Sequence, residues 1–133
     1  MAVTADVLNR LSEVIIGASI AVHRELGPGL LESAYEACLE YELRDRGFGV
    51  ERQLPLPVVY RSVAVEAGFR IDLLVNELVI VELKAVERFE KIHEAQVHTY
   101  LRLTGLHLAL LINFNVVRLT DGIKRIVRNF PQS

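Results

Sequence analysis

The sequence predicts an α/β (α+β) fold, with helices flanking a central mixed sheet. Three patterns carry this expectation. Two stretches near the start repeat apolar residues every three or four positions. Two period-2 runs joined by a short polar turn follow, and after a third helical stretch comes an almost wholly apolar run. The expected order is α-α-β-β-β-α-β-β-β.

The first helix spans about Asp6 to Leu26, with Val7, Leu11, Val14, Ile15, Ala18 and Val22 on one face. Gly27 sits where a C-cap glycine belongs, and Pro28 cannot continue the helix. A second helix runs from about Leu30 to Arg46, its stripe formed by Leu31, Ala34, Tyr35, Cys38, Leu39 and Leu43, with Gly47 as its stop. Short extended pieces are expected between Leu54 and Glu66, where Pro55 and Pro57 point to a sheet edge. Phe69 to Val75 and Val79 to Lys84 alternate as two strands of a hairpin. Matching their apolar sides pairs Val75 with Val79, Leu73 with Val81 and Ile71 with Leu83 around a three-residue turn, Asn76 to Leu78. A third helix runs from about Phe89 to Leu103 and ends at Gly105. Leu106 to Phe114 suits a strand buried on both faces. Val116 to Thr120 and Ile123 to Val127 are expected as closing strands around Asp121-Gly122.

The length of 133 residues fits one domain, 1–133, large enough to bury a core without staples. Apolar residues make up 51% and charged ones 24%, an ordinary globular balance. The net charge of −2 excludes the strongly basic balance of a dedicated nucleic-acid binder. Contact with phosphates must then come from local patches or bound cations. The one basic cluster, Lys124, Arg125 and Arg128, reads first as a solvated face. The single Cys38 forms no internal disulfide, which fits a reducing compartment. No run reaches the roughly 18 apolar residues of a membrane span. Met1 to Arg10 carries Asp6 and no basic region followed by an apolar run, so no secretion signal is expected. A cytoplasmic protein without a membrane partner is the expectation.

In the hairpin register Asp72 stands opposite Glu82 on the same face, with Lys84 one step along. Opposed side chains lie about 5 Å apart at Cβ. Two carboxylates there repel by about 3 kcal/mol at an effective dielectric of 20, so positive charge should compensate. Lys84 supplies one charge. A divalent cation such as Mg²⁺, held by one or two carboxylates plus water and phosphate, would supply the rest. It would lower the pKa of a bound water, which Lys84 could orient. The alternative is a cross-strand salt-bridge patch on a solvated face, which contributes little to stability. The hairpin by itself leaves both open, because Asp-x9-Glu-x-Lys is a short pattern.

The segment Gly29-Leu30-Leu31-Glu32-Ser33-Ala34-Tyr35 has the form GxxExxY. Arg70-Ile71-Asp72-Leu73-Leu74-Val75 and Val81-Glu82-Leu83-Lys84-Ala85 have the form of an Asp strand and a Glu-x-Lys strand. His93 to Leu101 and Leu110 to Phe114 follow as a helix and a strand. With these motifs in this order, the chain closely resembles the bacterial and archaeal family named for GxxExxY, within the PD-(D/E)XK nuclease superfamily. The resemblance runs from about residue 10 to 130. It implies a restriction-endonuclease-like core, αβββαβ, here with an extra N-terminal helix, and metal-dependent phosphodiester hydrolysis. It matches the superfamily's metal-binding Asp to Asp72, its second acid to Glu82, its Lys to Lys84, and an additional helix acid to Glu32. Ile71 stands where the superfamily name has Pro.

Glu32 lies in the first turn of the second helix, where a negative charge is favourable in any case. Glu36, one turn further on the same face, could take the place of Glu32 at the site but is expected to face solvent, and Tyr35 to be a core residue with a wet hydroxyl. Gln96 and Tyr100 are spaced i, i+4, with His93 one turn before. Gln96 is the favoured site candidate of the three, able to hold a water, a phosphate oxygen or the Lys84 ammonium. His23, His98 and His107 have no metal-ligand spacing and read as surface or boundary residues. Cys38 reads as inert core.

The expected function is Mg²⁺- or Mn²⁺-dependent cleavage of nucleic acid, DNA ahead of RNA. Asp72, Glu82 and Glu32 would be metal ligands, Lys84 would act on the attacking water, and Gln96 would orient. The alternative is a catalytically silent module of the same fold that binds nucleic acid or protein. So small a domain could grip a duplex as a homodimer.

Overall fold

The computed structural model describes residues 3–132. Helix α1 spans Ala5–Leu26, capped at its start by the Thr4 hydroxyl, which accepts from the Val7 N–H (3.2 Å). Gly27, at φ 69, turns the chain out of it. Helix α2, Glu32–Asp45, packs beside α1. Strand β1 covers Val50–Pro55, β2 Val58–Tyr60, β3 Val63–Val65, β4 Arg70–Val75 and β5 Val79–Lys84. Helix α3, Lys91–Thr104, leads to β6, Leu108–Asn113. A short 3-10 helix, Leu119–Gly122, leads to β7, Ile123–Val127.

The main sheet has the order β1-β4-β5-β6-β7. Only β5 and β6 run parallel, and α3 supplies the crossover that a parallel pair requires. Strands β2 and β3 form a separate antiparallel pair. Helices α1 and α2 cover one face of the sheet, burying Leu73, Val75, Val79, Val81 and Leu83 with Leu108, Leu110 and Ile112. Helix α3 covers the other, where Leu74, Ile80, Ala109 and Leu111 meet Val97, Tyr100 and Leu101. This is the expected mixed sheet between helical layers, and β6 is buried along its whole length because both faces are covered.

The hairpin register is as expected at Leu73–Val81 and Val75–Val79. Asn76 and Glu77 make the turn at positive φ. Ile71 does not pair with Leu83, however. The register ends at Leu73, and Ile71 joins the α3 side of the core. The cause lies at Asp72, described below.

Two further expectations are corrected. Extended structure begins at Val50 rather than Leu54, because β1 is an edge strand whose polar Glu51, Arg52 and Gln53 carry no alternation. Val116 to Thr120 forms no strand. The His23 Nε2–H donates to the Val116 carbonyl (2.7 Å), which pulls this segment against the end of α1. A Cβ at Gly122 would collide with the Asn113 carbonyl oxygen, so the return is tighter than a hairpin and closes as the 3-10 helix.

Candidate active site

Asp72 and Glu82 meet where β4 and β5 stop pairing. The Leu83 N–H donates to Asp72 Oδ2 (2.9 Å), and the Asp72 N–H donates to Glu82 Oε1 (3.2 Å). Each carboxylate thus takes an N–H of the other strand. That exchange replaces the expected Ile71–Leu83 ladder pair and brings the two acids together.

Glu82 is only 4% exposed. Burial, then the charge and side-chain hydrogen bond of Asp72, push its pKa up to about 10, against smaller opposing pulls from the Asp72 N–H and Lys84. Near neutral pH, Glu82 therefore keeps its proton. Among the described residues no cation lies within 4.0 Å of either acid. A solvated salt-bridge patch would show the opposite, exposed acids already paired with Lys84.

The other candidates surround this pair unevenly. Lys84 is half-buried at the end of β5, fixed by the Phe114 N–H donating to its carbonyl (2.9 Å). Glu32 reaches the same strand end from α2, where Oε1 accepts from the Ala85 N–H (3.4 Å), and it is exposed. It does not join the carboxylate pair. Among the described residues no three His, Cys, Asp or Glu side chains come together as a metal cage. Gln96 is half-buried on α3, one turn before Tyr100. The Tyr100 phenol feels the site directly: burial, then the charges of Glu82 and Asp72, raise its pKa to about 12. His93 is spent on the start of α3, its Nδ1 accepting from the Glu90 N–H (3.0 Å).

Glu36 does not face solvent. It is 5% exposed, and its Oε1 accepts from Arg52 Nε at 2.8 Å. Gln53 Nε2 donates to Glu36 Oε1 (2.9 Å), to Glu36 Oε2 (3.0 Å) and to Asp72 Oδ1 (3.3 Å). Helical spacing puts Glu36 between Tyr35 and Leu39 of the buried stripe, which is the signal that could have found it. Gln53 carries no such signal. Asn113 was also unforeseen as a polar residue of note. Its amide clamps the segment after Lys84, accepting from the Val86 N–H (3.1 Å) and donating to the Val86 carbonyl (2.8 Å). The Tyr35 hydroxyl is not wet. It donates to the Gly27 carbonyl (2.6 Å) and accepts from the Leu30 N–H (3.1 Å), while the ring stacks on Phe114. In the basic cluster Lys124 pairs with Glu94 (2.8 Å) and Arg125 donates to Asn9 (2.7 Å), as a structural surface would have them.

A mixed sheet layered between helices, with two acids and a lysine on its central strands, defines a restriction-endonuclease-like fold. The chain belongs to the PD-(D/E)XK nuclease superfamily, whose family model matches residues 9–126. No curated protein and no solved structure gives a significant match.

The residues fit a divalent cation. Carboxylate oxygens are hard donors suited to Mg²⁺ or Mn²⁺. Two of them converge without a counter-ion, and Glu82 holds a proton that a cation can displace.

Proposed function

We propose that this chain is a nuclease of the GxxExxY family that cleaves DNA with Mg²⁺ or Mn²⁺. The observation that carries the reading is the buried Asp72–Glu82 pair, two converging acids without a cation. Asp72 and Glu82 would hold the metal, with Glu32 assisting directly or through water. A cation there supplies Lewis acidity, which acidifies a water and offsets charge on a phosphate oxygen. Lys84 orients that water through its ammonium hydrogens. Gln96 directs an amide toward the phosphate from α3. Two copies acting together in the cytoplasm would span a duplex.

The test is cleavage of supercoiled plasmid, single-stranded DNA and RNA with Mg²⁺, Mn²⁺ or chelator. Plasmid is expected to be cut only with cation. Asp72→Ala and Lys84→Ala should each lower the rate at least about 10³-fold while melting cooperatively. No cation-dependent cleavage of any substrate overturns the proposal.

One observation favours the silent module: the pair has no third acid beside it among the described residues. Calorimetry separates the two readings. Mn²⁺ binding that disappears in Glu82→Ala supports the nuclease, and no binding supports the module.

A further inference from the structure

Asp72 is detached from the sheet on both sides. Toward β1 the register passes from Arg52–Leu73 to Leu54–Ile71 and omits Gln53 and Asp72. Toward β5 it stops at Leu73–Val81. Ladder bonds therefore do not set the direction of the Asp72 carboxylate. Two contacts on its oxygens do: the Leu83 N–H from β5 (2.9 Å) and the Gln53 amide from β1 (3.3 Å).

Gln53 sits at φ 54, in the left-handed region that glycine and asparagine tolerate and glutamine seldom occupies. Strained backbone of this kind persists where its surroundings enforce it, and it clusters at functional sites. Here it accompanies one particular contact. The NH₂ end of the amide bridges Glu36 and Asp72. Both are acceptor-only groups, which fixes the end of the amide that faces them. Glu36 is anchored in turn by Arg52 at 2.8 Å. With Oδ1 taken by Gln53, Asp72 is left with Oδ2 to receive the Leu83 N–H.

We propose that Gln53 is a positioning residue that ties Asp72 to the buried Glu36 and so aims its carboxylate at Glu82. The proposal rests on the reading of Asp72 and Glu82 as the metal-holding pair. The linkage runs Arg52, Glu36, Gln53, Asp72, and the left-handed turn at Gln53 is what lets an edge strand complete it.

Gln53→Asn and Gln53→Gly test this. Both residues accept φ 54 more readily than glutamine, so the fold is kept. Asparagine is one methylene too short to bridge the two acids, and glycine has no side chain. Native-state amide exchange at Leu83, whose N–H donates to Asp72, reports whether Asp72 is held. The other β5 amides serve as internal reference. In both variants Leu83 should exchange about 10-fold faster than the change in the urea midpoint and in the other β5 amides accounts for, and Mn²⁺ affinity by calorimetry should fall about 10-fold. Leu83 exchange as slow as wild type in both variants overturns the proposal. Equal acceleration at every β5 amide also overturns it, since Gln53 would then support the strand as a whole. If wild-type protein binds no Mn²⁺, the metal reading of the site fails, and the Leu83 exchange still decides the role of Gln53.

Discussion

Two glutamates lie equally deep in this molecule and are treated in opposite ways. Glu36 is 5% exposed and Glu82 is 4% exposed. Glu36 is met by the Arg52 guanidinium and the Gln53 amide, so its charge is satisfied within the protein. Glu82 is met by another acid, and burial with that acid raises its pKa to about 10. Burying an ionised carboxylate is costly unless it is paired. Glu36 is paired and supports the fold. Glu82 has no cation beside it among the described residues and stays in the fold as the neutral acid. The difference separates scaffold from site more sharply than depth or residue type does.

The same substitution at both positions should therefore give opposite results. The largest expected effect is on cleavage. Glu82→Gln removes an anionic ligand and should lower the rate by about 10³-fold or more, while Glu36→Gln acts only through Gln53 and should cost about 10-fold. Stability should move the other way. At pH 8 without metal, Glu82→Gln should stabilise by about 2 kcal/mol, because a neutral amide enters the fold without the proton that Glu82 must take up. Glu36→Gln should destabilise by about 2 kcal/mol, because Arg52 loses the nearer of its two carboxylate partners and keeps only Glu40 at 3.7 Å and some contact with water. Urea denaturation measures both. Shifts of the same sign would erase the distinction between the two acids.

The pH dependence sharpens it. A carboxyl whose folded pKa is raised binds more protons in the folded state than in the unfolded one between the two values. Stability without metal should be greatest below about 4.5 for this group and fall as pH rises from there toward about 10. The slope from this group can be no steeper than about 1.4 kcal/mol per pH unit. Melting curves from pH 5 to 9 should show a decline that Glu82→Gln flattens and saturating Mg²⁺ opposes, since the cation binds the deprotonated form. A wild-type curve with no more decline than Glu82→Gln would mean that Glu82 is not the proton holder.

The sequence made the Asp72–Glu82 meeting legible because strand alternation has a period of two. Once Val75 faces Val79, every other pair follows, and opposing acids stand out. The same rule misled at Ile71, where it assumes an intact ladder. The carboxylates themselves break that ladder, and periodicity carries no record of side chains competing for backbone N–H groups. Gln53 was illegible for a similar reason. A left-handed glutamine on a polar edge strand has no pattern, and its partners lie 17 and 19 residues away. Charge usually faces solvent, so the sequence alone places Glu36 there. Arg52 and Gln53, arriving from β1, are what compensate its burial. The helices and the buried β6 were the easier part, since their apolar spacing reports directly on the faces they hide.

The smallest expected effect concerns the scaffold that carries Glu32. The Tyr35 hydroxyl bridges the Gly27 carbonyl and the Leu30 N–H, closing the loop that delivers the chain into α2. Tyr35→Phe keeps the ring on Phe114 and removes both bonds, so urea denaturation should register a loss of about 1 kcal/mol. The hydroxyl stabilises neutral groups, so this loss should be the same at pH 5 and pH 9, unlike the change at Glu82. Cleavage adds a second reading of the same variant. If Glu32 assists at the site, loosening the loop two residues before it should lower the rate several-fold at saturating Mg²⁺, roughly the 1 kcal/mol lost from the loop. If the rate is unchanged while the 1 kcal/mol is lost, Glu32 belongs with Glu36 on the supporting side, and Asp72 and Glu82 act without it.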